Sequence, residues 1–456
     1  MSNEIALEYA LNVTSVPAAG EPRLLYLLID VKPGEGIEPV QAPVNIAVVL
    51  DVSESMRLPV LSQEQFQVLS KLGEAKEIES DGVAVWTFKT IPEDIRKNAP
   101  SNLEAIQIAI SQAAQHFEDS DILSLVAFAD SVEVLLSGVP GSSRQQALDA
   151  VATLGSIELG DETDIAVGLE AGIAEVKRRK ATEVANRVLL LTDGFTRDPQ
   201  RVLNLANEAR DAGIPVSTLG IGSEFNEKLL LNLADTSHGN AYFARVPREI
   251  PPAFAKELAA LQAVTLYGVE INMKFSAGVE LRRAYRVRPS ITTVSDARKD
   301  ERTVEISVGD LNADAPPSLL LEVMVPPQPT GVFSIARVWA SHMVKNERVS
   351  GKAGNVVLNY AASRQRPVLN PTVMNTVERV SAYVLQTRAL DEAAAGNTTA
   401  ATQKLRAAAT RLLAVGETGL AEAFESEATQ LEEHGQVSVE GAKELRYATR
   451  KLTQML

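Results

Sequence analysis

Asp51-Val52-Ser53-Glu54-Ser55 places one carboxylate and two hydroxyls at a spacing of two, directly after the apolar run Val44 to Leu50. A run this apolar, broken only by Asn45, reads as a strand buried on both faces. The three oxygens therefore arrive together on the loop at its carboxyl end. Two further pieces stand far along the chain: Thr163 in Gly160-Asp161-Glu162-Thr163-Asp164, and Asp193 in Thr192-Asp193-Gly194, after the run Val188 to Leu191. Hydroxyl and carboxylate oxygens without thiolate or imidazole suit a hard divalent cation, Mg2+ first, with Mn2+ or Ca2+ as substitutes. By itself Asp-x-Ser-x-Ser also reads as a turn or a helix N-cap, because Asp and Ser suit both. Placement favours the cation. All three segments fall where a doubly wound α/β sheet holds its ligands, beyond the carboxyl ends of parallel strands.

The elements that must position these residues alternate between buried strands and amphipathic helices, the pattern of a parallel sheet. Strands are expected at Val44–Leu50, Ile122–Phe128, Val188–Leu191 and Val216–Ile221, with a helix from Asn102 to about Phe117. A second helix runs from Asp164 to about Arg179, with Ile165, Leu169, Ile173 and Val176 on one stripe, and Val202, Leu205, Ala206 and Ala209 mark a third. Glu54, Asp161, Glu162 and Asp164 either add negative charge around the cation or favour a helix N-terminus.

With these residues in place, the chain resembles the von Willebrand factor A family from Val44 to about Leu261. The family's metal-ion-dependent adhesion site is an Asp-x-Ser-x-Ser-Met loop, a loop Thr and a strand-end Asp, matched here by Asp51, Ser53, Ser55, Met56, Thr163 and Asp193. Leu219-Gly220-Ile221-Gly222, Leu229 to Ala234 and His238 to Phe243 resemble its last strand, the start of its last helix and its closing edge strand. The resemblance implies that Ser53, Ser55 and Thr163 touch the ion through hydroxyls, that Asp51 and Asp193 act directly or through water, and that a carboxylate from a protein partner fills the remaining position. A ring-shaped AAA+ ATPase of the MoxR type, or a signalling assembly, is the partner implied in the same way.

The chain departs from that pattern after Met56, where about forty residues, Arg57 to Pro100, precede the helix at Asn102. Gln63 to Glu77 reads as a short helix, and Asp81-Gly82 as a turn before the alternating strand Val83–Phe88. Springing from the metal loop, this insertion either walls the partner-facing side, with Glu54, Glu79 or Asp81 offering an internal carboxylate, or only adds stability.

Outside this region the apolar period changes to two. Ile5, Leu7, Tyr9, Leu11 and Val13 alternate with Ala6, Glu8, Ala10 and Asn12, and Leu24–Val31 is a second strand. After Leu261 come Val269–Phe275, Val304–Val308, Leu319–Val325 and Phe333–Trp339. Two leading strands cannot bury an apolar face alone, so they are expected to join the later strands in one antiparallel sandwich. From Asn370-Pro371 onward, strong helix formers predominate, with breaks at Gly396, Gly416 and Gly435 that delimit about four helices. The expected architecture is a doubly wound, mostly parallel α/β domain (44–263, with the insertion at 57–100). It is set within an antiparallel β-sandwich (1–43 and 264–365) and followed by a C-terminal helical bundle (366–456).

Composition bounds the function. At 456 residues the chain exceeds a single core. It has no cysteine, which removes disulfides, zinc-thiolate sites and thiol chemistry. Forty-four basic against 59 acidic residues, a net charge of −15, argues against nucleic acid as the main partner. No secretory signal is read in Met1 to Ile5, and no run nears the roughly 18 apolar residues of a membrane span, so a cytoplasmic location is expected. Enzyme motifs are missing: no Gly-x-Ser-x-Gly elbow, no His-Glu-x-x-His, and four scattered histidines. The expectation is a non-enzyme, a Mg2+-dependent adaptor that grips an acidic residue of a partner. The alternatives are an assembly subunit with an architectural metal and, more remotely, a metallohydrolase.

Overall fold

Val44–Asp51 is buried at every position, and its neighbours on either side are strands of the same kind. In the computed structural model, which describes residues 5–34, 42–72, 75–80, 83–88, 91–181, 183–222, 225–295, 297–300, 302–312, 314–345, 347–362 and 368–453, it lies inside a six-stranded sheet. The strand order is Ala241–Ala244, Val216–Ile221, Ala185–Thr192, Val44–Asp51, Ile122–Phe128 and Val132–Pro140. The pairing of Val44–Asp51 with Ile122–Phe128 is parallel, as are those of Val216–Ile221 with both of its neighbours. The edge strand Val132–Pro140 pairs antiparallel with Ile122–Phe128. The sequence pattern did not reveal that strand, because its exposed Val132, Glu133 and Val134 give it neither a buried run nor a clean alternation.

Helices Asn102–Ala113, Ile165–Arg179 and Pro199–Asp211 lie close to their expected ranges; the first stops four residues before Phe117. Helix Ile165–Arg179 sits tight on the sheet because Gly172 has no side chain: a Cβ there would stand 2.3 Å from Val49 Cγ2.

The insertion differs from expectation. The helix spans only Gln63–Lys71, with a capping box between Ser62 and Gln65, and Ala75–Ser80 is a strand paired antiparallel with Val83–Phe88. Local helix preference in Lys76-Glu77 yields to the partner strand, since strand formation depends on what lies opposite. Asp81-Gly82 lies outside the described residues, as does the Glu79 side chain.

The chain divides into two compact units. One is Pro43–Ala181 with Asn186–Ala259; the other is Met1–Ala42, Thr182–Ala185 and Ala260–Leu456. In the second unit Arg23–Pro33 pairs antiparallel with Ile5–Leu11 on one side and Ser318–Val325 on the other, so leading and late strands share one five-stranded sheet. A seven-stranded sheet with Val264–Phe275 and Gly331–Val344 at its centre faces it across a common core that includes Leu27, Ile29, Leu321, Ile271 and Val338. The opposite face of the five-stranded sheet, through Leu28, Tyr285, Val287 and Leu320, packs on the four helices Pro371–Ala394, Thr398–Ala414, Thr418–His434 and Val439–Arg450. Alternate residues of Leu27-Leu28-Ile29 thus enter two different cores, as the period-two geometry of a strand requires.

His342, on Gly331–Val344, is 2% exposed, and neither ring nitrogen has a hydrogen-bond partner among the described residues. Burial holds its pKa below the ordinary 6.5, and the nearby Arg348 adds to the effect. The folded state therefore keeps the ring neutral while the unfolded chain takes up a proton as pH falls through 6.5. This contribution to stability is complete above that pH and declines below it. Denaturant melts of the wild type are expected to show falling stability of this unit from pH 7 to pH 5, with a shallower fall in His342→Leu; identical slopes would refute it.

Candidate functional site

The site begins where the central strand ends. Asp51 is fully buried, and its carboxylate accepts hydrogen bonds from the Ser53 backbone N–H (3.0 Å), Thr192 Oγ1 (2.6 Å) and Thr163 Oγ1 (3.4 Å). Burial raises its pKa, and the bonds from Ser53, Thr192 and Thr163 work in the other direction. The loop then turns into the short helix Glu54–Arg57. Ser53 Oγ lies 3.2 Å from Ser55 Oγ, and Ser55 Oγ donates to Asp193 Oδ1 at 2.7 Å. Asp193 Oδ2 accepts from Asn102 Nδ2 at 3.0 Å. All five residues singled out in the sequence, Asp51, Ser53, Ser55, Thr163 and Asp193, thus stand in one hydrogen-bonded cluster. Its members lie up to 142 positions apart in the chain, from Asp51 to Asp193.

Backbone devices bring them to this point. Gly194 permits the closest approach, since a Cβ on it would fall 2.7 Å from Thr163 Oγ1. Arg57 straps the serine loop to the segment preceding Thr163: its guanidinium donates to Val52 O (3.0 Å), Gly155 O (2.7 Å) and Ile157 O. Ser53, Thr163 and Asp193 are buried, whereas Ser55 is exposed, so the cluster opens to solvent on the Ser55 side.

Two participants were not singled out as ligands in the sequence. Thr192 is one residue before Asp193 and turns its hydroxyl to Asp51. Asn102 follows Ser101, which with Glu104 forms a capping box for the helix. Ser101 takes the capping role, so the Asn102 amide is left to fix Asp193. A polar residue just inside a helix that already has its cap was the available signal.

The acidic residues around the cluster divide by role. Asp164 accepts from Ala166 N–H at 3.0 Å and caps the helix Ile165–Arg179. Glu162 is paired with Arg197, which also reaches Asp130 at 3.3 Å. Glu54 and Asp161 are exposed.

The donor set consists of three hydroxyls and two carboxylates, the ligand chemistry of Mg2+ and its hard relatives. Among the described residues no group of three or more His, Cys, Asp or Glu side chains forms a metal site of another type.

Residues 93–253 match the family model of the von Willebrand factor type A domain, and residues 371–455 match that of the Sll0103-like, C-terminal alpha-helical domain. The first match starts beyond the serine loop, at residue 93 within the insertion. Among curated proteins, the chain is 21% identical over 252 residues to the uncharacterized protein YfbK of Escherichia coli (strain K12), covering 54% of this chain and 43% of that protein. It is 26% identical over 229 residues to the uncharacterized protein sll0103 of Synechocystis sp., covering 48% of this chain and 53% of that protein. The chain thus spans about half the length of these curated relatives. Among solved structures, von Willebrand factor type A from Catenulispora acidiphila aligns with a TM-score of 0.74 at 16% identity, covering 99% of this chain and 97% of that one. The ArnB paralog VWA2 from Sulfolobus acidocaldarius aligns at 0.55 and 15%, covering 99% of both chains. At such identities the likeness is one of fold. No helix among the described residues is long and apolar enough to cross a membrane.

Proposed function

We propose that this chain, which carries a von Willebrand factor type A domain in a VWA-like fold, is a Mg2+-dependent protein-binding adaptor whose metal site receives an acidic residue of a partner. The observation that supports this most is the cluster itself. Five oxygen-bearing side chains from three separate loops point at one another, and the Ser55 side is open. Ser53, Ser55, Thr163, Asp51 and Asp193 would hold the ion, which would supply positive charge for a visiting carboxylate. Oxygen ligands on three independent loops are a demanding arrangement for mere capping, which needs one side chain at each helix start. The partner fitting this reading is a protein that offers an exposed Asp or Glu, and a cytoplasmic AAA+ ATPase or signalling assembly is proposed as the setting.

An architectural metal in an assembly subunit is the second reading, favoured by the complete burial of Asp51. Chelation separates the two. Immobilised protein is expected to retain partner proteins in millimolar Mg2+ and to release them in EDTA. Retention unchanged by EDTA would favour the architectural role.

A further inference from the structure

Two exposed apolar side chains stand on the two loops that the Ser55–Asp193 hydrogen bond joins. Leu58, 49% exposed, is one helical turn past Ser55, and its N–H donates to Ser55 O at 3.3 Å. Phe195, 63% exposed, is two residues past Asp193. Isolated exposed hydrophobics are ordinary on protein surfaces. These two differ in being held out by anchored backbone. Gly194 N–H donates to Thr192 Oγ1 (3.2 Å) and Thr196 Oγ1 accepts from Ile165 N–H (3.2 Å), so Phe195 sits between two fixed residues. Leu58 lies between the Arg57 strap and a backbone bridge from Pro59 to Ser101. These bonds fix the backbone from which both side chains project. The charges nearby are of the opposite character to a basic cradle: Glu54 and Asp161 are exposed acids, and Arg197 is already paired with Glu162 and Asp130.

We infer that the site selects a single carboxylate carried between apolar side chains and rejects acidic tracts, with Leu58 and Phe195 as its apolar contacts. This rests on the metal-site reading above and adds the partner's local chemistry to it. Burial of apolar neighbours against Leu58 and Phe195 gives affinity that the ion does not supply. Glu54 and Asp161 repel a second or third acid beside the first, which is discrimination by an unfavourable contact.

The test uses three capped pentapeptides on a biosensor surface, Gly-Leu-Asp-Leu-Gly, Gly-Ser-Asp-Ser-Gly and Gly-Asp-Asp-Asp-Gly, with full-length protein in saturating Mg2+. Wild type is expected to bind the leucine peptide about tenfold more tightly than the serine peptide and to bind the triple-aspartate peptide no better than the serine one. In Leu58→Ser and Phe195→Ser that preference shrinks, and in the double variant it vanishes, while Mg2+ affinity by calorimetry stays at the wild-type value. Preference unchanged in the double variant, tightest binding of the triple-aspartate peptide, or no peptide binding although Mg2+ binds would each overturn the inference. Failure of Mg2+ itself to bind would instead remove the metal reading beneath it.

Discussion

Asp51→Ala and Thr163→Ala are each expected to weaken Mg2+ binding by at least about tenfold, the scale on which even supporting residues of metal sites act. Both residues meet at one point, Thr163 Oγ1 to Asp51 Oδ2 at 3.4 Å, so either change removes an oxygen from the same cluster. The fold is expected to survive. Thr163→Ala deletes a hydroxyl from a loop residue. Asp51→Ala removes three hydrogen bonds but also relieves the cost of a wholly buried carboxylate, and these effects oppose each other. A ligand at a hundred times its dissociation constant stabilises the folded state by about 2.7 kcal/mol. Mg2+ should therefore raise the melting temperature of the wild type clearly and that of the variants less. Titration calorimetry decides the matter: equal affinity in wild type and both variants would dismiss these residues as ligands.

Glu257→Ala is expected to destabilise the α/β unit by about 3–5 kcal/mol, the range for removing one partner of a buried ion pair. Glu257 has no exposure and accepts from Ser217 Oγ (2.5 Å), Asn240 Nδ2 (2.9 Å) and Tyr242 Oη (2.8 Å). Arg187 Nε stands 3.3 Å away and is itself 8% exposed at the side chain. Burial, reinforced by the Glu257 charge, pushes the Tyr242 hydroxyl well above its ordinary pKa, so the phenol stays a donor. Without the carboxylate, a buried guanidinium loses its counter-charge and three donors lose their common acceptor. Arg187→Met in the Glu257→Ala background should recover part of the loss, because it removes the stranded cation. Denaturant unfolding measures both, and a loss below 1 kcal/mol for Glu257→Ala would show that water reaches the network.

The sequence made the oxygen cluster legible because its pieces are local: Asp51, Ser53, Ser55 and Asp193 sit at or just past the ends of buried, mostly apolar runs. The same reasoning placed the helix Ile165–Arg179, whose apolar stripe and Asp164 cap are both written within 16 residues. It failed where an element takes its form from a distant neighbour. Ala75–Glu77 looked helical because the pairing partner of its strand, Val83–Phe88, does not enter a local propensity. Glu257 escaped notice because one Glu on the helix Ile250–Gln262 looks like any other until Arg187, Ser217, Asn240 and Tyr242 converge on it. Likewise Asn102 read only as the start of a helix, because its contact with Asp193 comes from a strand end 91 residues away.

What the chain's order determined by itself is the set of candidate oxygen-bearing side chains and the alternation of strand and helix that carries them, since both depend on residue type and short spacing. Tertiary structure alone decided which second residues hold those side chains. It also decided that Leu58 and Phe195 face outward beside them, because contacts across 50 to 150 residues follow from packing and have no local period to betray them.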